Sequence, residues 1–295
     1  VARPARAAER VAAVVVDYDT AELLGPCVAS LAAEGVSATV VVENAPGARP
    51  GAALEAAGVP VPVLEPGRNL GYGAGANRGV ASLVGPEYVL VCNPDLVVHP
   101  GAVAALAGAL DEEPAWALVG PAIVDPGGRP YPSARCFPSM ADAAGHALIG
   151  LFRPDNRFSN RYRAPDPTAG GRRPVDWVSG ACLMVRRSAF EELGGFDESY
   201  FMFAEEMDLC WRAGQAGWAV GFEPEAVVTH VEGVSRRRHP YRMILAHHRS
   251  AWRFAVRTTT GGRRVALPLA AAVLSLRLGL ALLRQATRSR AAARR

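Results

Sequence analysis

The chain has 295 residues, half of them hydrophobic and a fifth charged, which is enough apolar material for one large core and too much for a disordered polymer. Its formal charge of +4 conceals an asymmetry: all 32 basic residues are Arg, 15 of them fall between Arg236 and Arg295, and that stretch holds no Asp or Glu. The first 235 residues thus carry a net −11 against +15 for the rest, an acidic body with a basic, apolar tail that suits an anionic membrane surface. The five cysteines (Cys27, Cys92, Cys136, Cys182, Cys210) are scattered and follow no metal-ligand spacing, which speaks against a disulfide framework and for a reducing, cytosolic setting. Val1 to Arg10 is short and polar, unlike a secretory leader.

Val11 to Val16 is a continuous apolar run, the pattern of a buried parallel strand. Asp17-Tyr18-Asp19-Thr20 follows, then a helical spacing of Leu23, Leu24, Cys27, Val28 and Leu31. Further strands are expected at Thr39–Val42, ending in Glu43-Asn44, at Val61–Leu64, and at Tyr88–Cys92, ending in Asn93-Pro94-Asp95. A helix over Gly101–Leu110 and a strand over Trp116–Gly120 come next. Residues 127–173, rich in Gly, Pro and Arg, read as loops with short helices. Order returns at Val175–Ala181, followed by a strand through Val185, a short helix Ser188–Leu193 stopped by Gly194-Gly195, a helix Glu205–Ala216 and a strand Trp218–Phe222. This alternation predicts an α/β fold with a mostly parallel sheet flanked by helices, its ligands held beyond the strands' C-terminal ends.

Polar residues at those ends are the candidate site. Asp95 follows an apolar strand, where a carboxylate can hold a hard divalent cation that also takes diphosphate oxygens, although Asn-Pro-Asp is a common turn as well. Glu205, Glu206 and Asp208 gather at a helix start, which helix electrostatics alone favours. The apolar Phe201-Met202-Phe203 before them would raise a carboxyl pKa towards that of a useful base. His230, after Val227-Val228-Thr229, suits a metal ligand. The small residues between Asn69 and Asn77 do not have dinucleotide-fingerprint spacing, but they permit a ligand to approach the backbone at a helix N-terminus. Val265–Leu283 is almost wholly apolar over about the roughly 20 residues that cross a bilayer. Pro268 and Arg277 within it favour a helix lying in the membrane interface, the alternative being a helix packed on the body or a partner.

From about Val11 to Ser235 the chain resembles glycosyltransferase family 2, the enzymes of GT-A (Rossmann-like) fold. The likeness rests on Tyr18, Glu43-Asn44, Asn69–Asn77, Asn93-Pro94-Asp95, Trp177 with Gly180-Ala181, Gly194-Gly195-Phe196-Asp197, Glu205-Glu206-Met207-Asp208-Leu209 with Arg212, and His230. Tyr131-Pro132-Ser133-Ala134-Arg135, Gly145–Gly150, Trp177–Phe203 and Ala246-His247-His248-Arg249-Ser250 are similar to actinobacterial rhamnosyltransferases acting on polyprenyl-diphosphate-N-acetylglucosamine.

The resemblance implies a donor subsite of Tyr18, Glu43, Asn69, Gly71, Tyr72, Asn77, Asn93 and Asp95, with Glu43 reading the base. It also implies Mg²⁺ or Mn²⁺ held by Asp95 and His230, Glu206 or secondarily Glu205 as the base, and Trp177 and Gly180 facing the acceptor. Asp208 and Arg212 are expected to organise the helix. The implied reaction is inverting transfer of L-rhamnose from dTDP-L-rhamnose to a lipid-linked saccharide, for cell-wall synthesis at the cytoplasmic face of the membrane. The implied layout is a transferase domain over 1–235, with a nucleotide-sugar half at about 11–100 and an acceptor half at about 101–235, then a peripheral membrane-associating helical tail over 236–295.

The chain departs from the family at Asp17 and Asp19, at Glu43 where Asp is common, and at Glu206 where the base is normally Asp. An extra methylene moves a carboxylate by more than an ångström, and misplacements of about that size can cost roughly a hundredfold in rate. Two other readings stay open: a family 2 transferase with another donor and a glycan or natural-product acceptor, and a non-catalytic module binding membrane or nucleic acid. The tail lacks the aromatic-interleaved basic platform of a nucleic-acid binder.

Overall fold

The computed structural model describes residues 8–137, 149, 153, 156, 170–231 and 239–293. Most of the Gly145–Gly150 stretch, and the expected boundary at 235, lie outside the described residues.

The chain order of the main elements is β1 (Val11–Asp17), α1 (Ala21–Ala33), β2 (Ala38–Glu43), α2 (Gly51–Ala56), β3 (Val63–Leu64), α3 (Tyr72–Ser82), β4 (Tyr88–Cys92), β5 (Leu96–Val98), α4 (Ala102–Glu112) and β6 (Trp116–Val124). Then come β7 (Pro130–Tyr131), β8 (Ala134–Arg135), β9 (Arg173–Val175), β10 (Trp177–Val178), β11 (Cys182–Arg186), α5 (Arg187–Glu192), α6 (Glu205–Gln215) and β12 (Ala219–His230). The C-terminal part is α7 (Pro240–Thr258), a 3₁₀ turn (Gly261–Ala266) and α8 (Leu267–Ala293).

The central sheet has the order β3-β2-β1-β4-β11-β6-β12-β5. Along that path only β11 and β5 run against the rest, so the sheet is mixed but mostly parallel. Every residue of β1 is buried, because helices cover both faces of the sheet. Its alternate side chains divide between two cores: Val11, Ala13 and Val15 meet Leu24 and Leu31 of α1 and Leu106 and Leu110 of α4. Ala12, Val14 and Val16 meet Val80 of α3, Leu209 of α6 and Phe254 of α7. Strand order reverses between β1 and β4, and the crevice beyond their C-terminal ends is where open α/β sheets bind ligands.

Three features differ from the sequence expectations. The segment from Asn69 to Asn77 is a loop only up to Gly71, and α3 begins at Tyr72. Its glycines serve packing: a Cβ on Gly79 would lie 2.4 Å from Val14 Cγ1, and one on Gly75 would lie 2.8 Å from Asn44 Nδ2. The strand read at Trp218–Phe222 is part of β12, which continues to His230 through an irregularity between Glu223 and Val227. Glu223 sustains that bulge, accepting hydrogen bonds from the Glu225 amide at 3.0 Å and from Arg172 Nε at 2.5 Å. Finally, α7 belongs to the packed body although its charge places it in the tail: Phe254 joins the core, and Ser250 and Thr259 are buried.

Candidate active site

The geometry starts with strand pairing. His230 lies opposite Leu96 where β12 pairs with β5, and the Val231 amide donates to the Asp95 carbonyl at 3.0 Å. Residues far apart in sequence therefore meet: His230 Nε2 is 3.1 Å from Asp95 Oδ1 and 3.4 Å from Asn93 Nδ2. The Nδ1 of His230 is buried without a hydrogen-bond partner. An imidazole nitrogen beside a carboxylate oxygen is a workable donor pair for a divalent cation whose remaining positions go to diphosphate and water. Among the described residues no group of three or more His, Cys, Asp or Glu is gathered to hold a metal ion.

These residues line a cleft of roughly 240 Å³. It brings together Tyr18, Asn69, Gly71, Tyr72, Asn93, Asp95, Gly180, Glu205, Glu206 and His230. Asn44, at the end of β2, fixes the near wall by donating to the Gly71 carbonyl at 3.0 Å. Tyr72 ties the two halves of the cleft, its hydroxyl donating to the Gly180 carbonyl at 2.6 Å and its amide to the Phe201 carbonyl at 3.0 Å.

The far wall is the start of α6. Phe203 and Ala204 precede it in the left-handed region, with φ of 69° and 65°, a conformation that costs non-glycine residues about 1–3 kcal/mol each. This turn delivers Glu205 and Glu206 into the cleft. Glu205 is 3% exposed, its Oε2 has no hydrogen-bond partner, and burial together with the charge of Glu206 pushes its pKa well above the carboxylate range. Burial also raises Glu206, but the charge of Arg135 opposes that shift. Neighbouring carboxyls held in unlike environments are the pattern by which one stays protonated while the other ionises.

Three expected site residues do not line the cleft. Asn77 clasps the backbone of Phe196 instead, donating to its carbonyl and accepting from its amide, each at 2.9 Å. Trp177 is 4% exposed, donates from Nε1 to the Cys136 carbonyl at 3.1 Å, and carries the Arg135 guanidinium 4.9 Å over its ring. Its connection to the site thus runs through the cation that opposes the rise of the Glu206 pKa. Glu43 is 2% exposed, beside Asp17, and its Oε1 accepts from the Ala45 amide at 2.6 Å. Burial and the hydrogen bond with Asp17 raise its pKa to about 8. Asp208 and Arg212 do organise structure: Arg212 Nε donates to Asp208 Oδ2 at 2.7 Å, and its other nitrogens donate to the carbonyls of Leu193 and Gly195.

The cleft also contains Asp17, noted in the sequence only as a departure from the family, and residues that sequence reasoning did not single out, among them Ser179, His239, Arg242 and Met243. The last three come from the start of α7, whose His239 ring meets Tyr18 edge-on at 6.0 Å. Arg242 had no distinguishing signal, being one of 15 arginines in the tail.

Comparison with known proteins agrees with this architecture. An L-rhamnosyltransferase of Mycobacterium tuberculosis, described as acting on N-acetylglucosaminyl-diphospho-decaprenol, is 42% identical over 217 residues, covering 70% of each chain. A rhamnosyltransferase of Escherichia coli, WbbL, is 29% identical over 125 residues, covering 42% of this chain and 44% of its own. In fold, the chain is similar to GalNAc-T7 solved with UDP, GalNAc and Mn²⁺, with a TM-score of 0.55 at 13% identity, covering 75% of this chain and 43% of that one. It is similar also to residues 1–349 of S. aureus TarS, with a TM-score of 0.51 at 14% identity, covering 82% and 64%. Residues 8–255 match the model of the glycosyltransferase-like family 2, and the chain belongs to that family.

Proposed function

We propose that this glycosyltransferase moves L-rhamnose from dTDP-L-rhamnose onto a sugar carried by a polyprenyl diphosphate, with inversion at the anomeric carbon. The convergence of Asp95, His230, Glu205 and Glu206 on one cleft carries the reading, and the mycobacterial relative supports the choice of donor and acceptor.

Asp95 and His230 fit a divalent cation, Mg²⁺ or Mn²⁺. When bound, the cation neutralises the diphosphate as it departs with the transition-state charge. Tyr18, Asn69, Gly71 and Tyr72 form the wall against which the nucleotide lies. Glu206 accepts the acceptor hydroxyl's proton: burial raises its pKa, which makes it a stronger base, and the charge of Arg135 opposes that rise. Glu205 lies beside it, its pKa pushed up by burial and by the charge of Glu206. One displacement suffices, with no covalent enzyme intermediate.

Transfer from a nucleotide sugar to a lipid-linked acceptor supports a reaction at the cytoplasmic face of a membrane. Leu269, Leu276 and Leu283 of α8 recur every seventh residue and are 68%, 56% and 65% exposed, while Arg263, Arg264, Arg284 and Arg288 flank them. Because α8 packs back along α7, a helix lying in the lipid interface fits better than a span.

A donor panel with a short-chain polyprenyl-diphosphate-N-acetylglucosamine tests the reading. Turnover is expected with dTDP-rhamnose and to fall by about 10²–10⁴-fold in Glu206→Gln, the usual contribution of a general base. Use of UDP-sugars with dTDP-rhamnose ignored would remove the rhamnosyl assignment, and undiminished transfer by Glu206→Gln would remove the base.

A further inference from the structure

The turn that carries the two glutamates lacks a local device to hold it. Ala204 occupies the N-cap of α6 and has no polar side chain with which to cap, and Phe203 and Ala204 are both left-handed without being glycine. Such a conformation persists only where surrounding structure imposes it.

The restraints come from two sides. From α3, the Tyr72 amide donates to the Phe201 carbonyl, and the backbone of Phe201 presses so closely on Gly71 that a Cβ there would lie 2.2 Å from its oxygen. From α7, Ser250 Oγ donates to the Met202 carbonyl at 2.8 Å, and the His247 ring meets Phe203 edge-on at 5.5 Å. Ser250 is 4% exposed, so water has little access to replace its hydrogen bond. α7 is itself fixed to the body by Arg257, which pairs with Asp197 and Asp208, and by Phe254 stacked on Phe137.

We infer that Ser250 is a positioning residue for the transfer reaction: its hydrogen bond to the Met202 carbonyl holds the Phe203–Ala204 turn that aims Glu205 and Glu206 into the cleft. The inference rests on the reading of Glu206 as the base. It makes α7, which follows the last strand of the sheet, part of the catalytic framework. Ser250 touches neither the cleft nor the donor wall, so its removal acts on placement of the carboxylates and not on nucleotide binding.

The test is steady-state kinetics of full-length Ser250→Ala and Ser250→Thr with the same donor and acceptor, alongside thermal melting and calorimetric binding of the donor nucleotide. Misplacement of a reacting group by about 1 Å costs about a hundredfold. Partial release of the turn is therefore expected to lower kcat by about tenfold in Ser250→Ala, with the donor KM and nucleotide affinity within twofold of wild type. Ser250→Thr, which keeps the hydroxyl, is expected to recover kcat to within about threefold. A kcat for Ser250→Ala within twofold of wild type overturns the inference. So does a donor KM that rises as far as kcat falls, or a Thr variant that binds nucleotide normally yet is as slow as Ala. Glu206→Gln separates the two readings: if it transfers at the wild-type rate, the base assignment fails whatever Ser250 does.

Discussion

The glycines of α3 offer a quantitative test of how the fold builds the donor wall. Replacing Gly79 by Ala would place a Cβ 2.4 Å from Val14 Cγ1 and 3.0 Å from Val42 Cγ2, where ordinary contact begins at 3.4 Å. Val14 and Val42 are fully buried strand residues and cannot turn away, so α3 must retreat by roughly 1 Å. Overpacking of this kind costs about 1–3 kcal/mol, against about 0.5–1 kcal/mol gained from the better helix propensity of Ala. The net loss, up to about 2.5 kcal/mol, should lower Tm by up to roughly 10 °C, at about 2–4 °C per kcal/mol for larger domains. The retreat also carries Tyr72 away from the Gly180 and Phe201 carbonyls, so kcat/KM should fall by about tenfold or more. Gly108 in α4 is the matched control, because a Cβ there meets nothing within 4 Å. Gly108→Ala should gain about 0.5–1 kcal/mol and leave transfer unchanged. Calorimetric melting with initial-rate assays of both variants decides the matter: a Gly79→Ala enzyme as stable and as active as wild type would refute the packing argument.

The pKa of Glu43 rises from 4.5 to about 8 in the fold, so the stability linked to its protonation is complete at low pH and lost as pH rises through about 8. Glu43→Gln, which stays uncharged, should flatten the decline of Tm between pH 5 and 9, and an equally steep decline in the variant would reject this assignment. Asp95→Asn and His230→Ala should each weaken Mn²⁺ binding in the presence of nucleoside diphosphate by at least about tenfold, since even outer-sphere changes cost roughly 10–100-fold. Unchanged affinity in calorimetry would remove the pair as metal ligands. Replacing Leu269, Leu276 and Leu283 together by Ser should sharply reduce co-sedimentation with anionic vesicles, because each buried Leu is worth about 1.5–3 kcal/mol. Undiminished sedimentation would count against interfacial docking by α8.

The sequence disclosed those parts of the fold in which one local pattern has one outcome. The Val-rich run of β1 and the apolar run of β4 could be little other than buried strands, and the polar residues after them sit where such strands place ligands. Glu205-Glu206 was legible as an acidic pair behind an apolar cluster. What the sequence hid was pairing. β5 is three residues long and owes its existence to the β12 ladder, yet that ladder is what sets His230 against Asp95. Asn77 and Trp177 are polar or aromatic residues near the site in sequence, and composition cannot say that one clasps Phe196 while the other supports Arg135. The glycines around Asn69–Asn77 suggested an open loop because small size permits both ligand approach and helix–sheet contact, and only the register of α3 on β1 distinguishes the two.

Charge counting misplaces the boundary of the body for a related reason. Summed along the chain, Arg257 belongs to a basic tail; in space it lies 3.1 Å from Asp208, which is fully buried and also bound by Arg212. A buried carboxylate left short of a cation costs several kcal/mol, so α6 needs a charge that the sequence places 49 residues downstream of Asp208. The acidic excess before residue 235 and the basic excess after it are therefore partly one structure divided by an arbitrary cut. On the outward side of α7, exposed Arg249 lies among exposed Tyr241, Leu245 and Trp252. The inner side of α7 holds the Met202 carbonyl through Ser250, and its first turn lines the cleft through Arg242. One helix thus faces the reacting groups on one side and solvent-exposed apolar and basic residues on the other, an arrangement suited to an acceptor whose sugar must enter the cleft while its lipid stays in the bilayer.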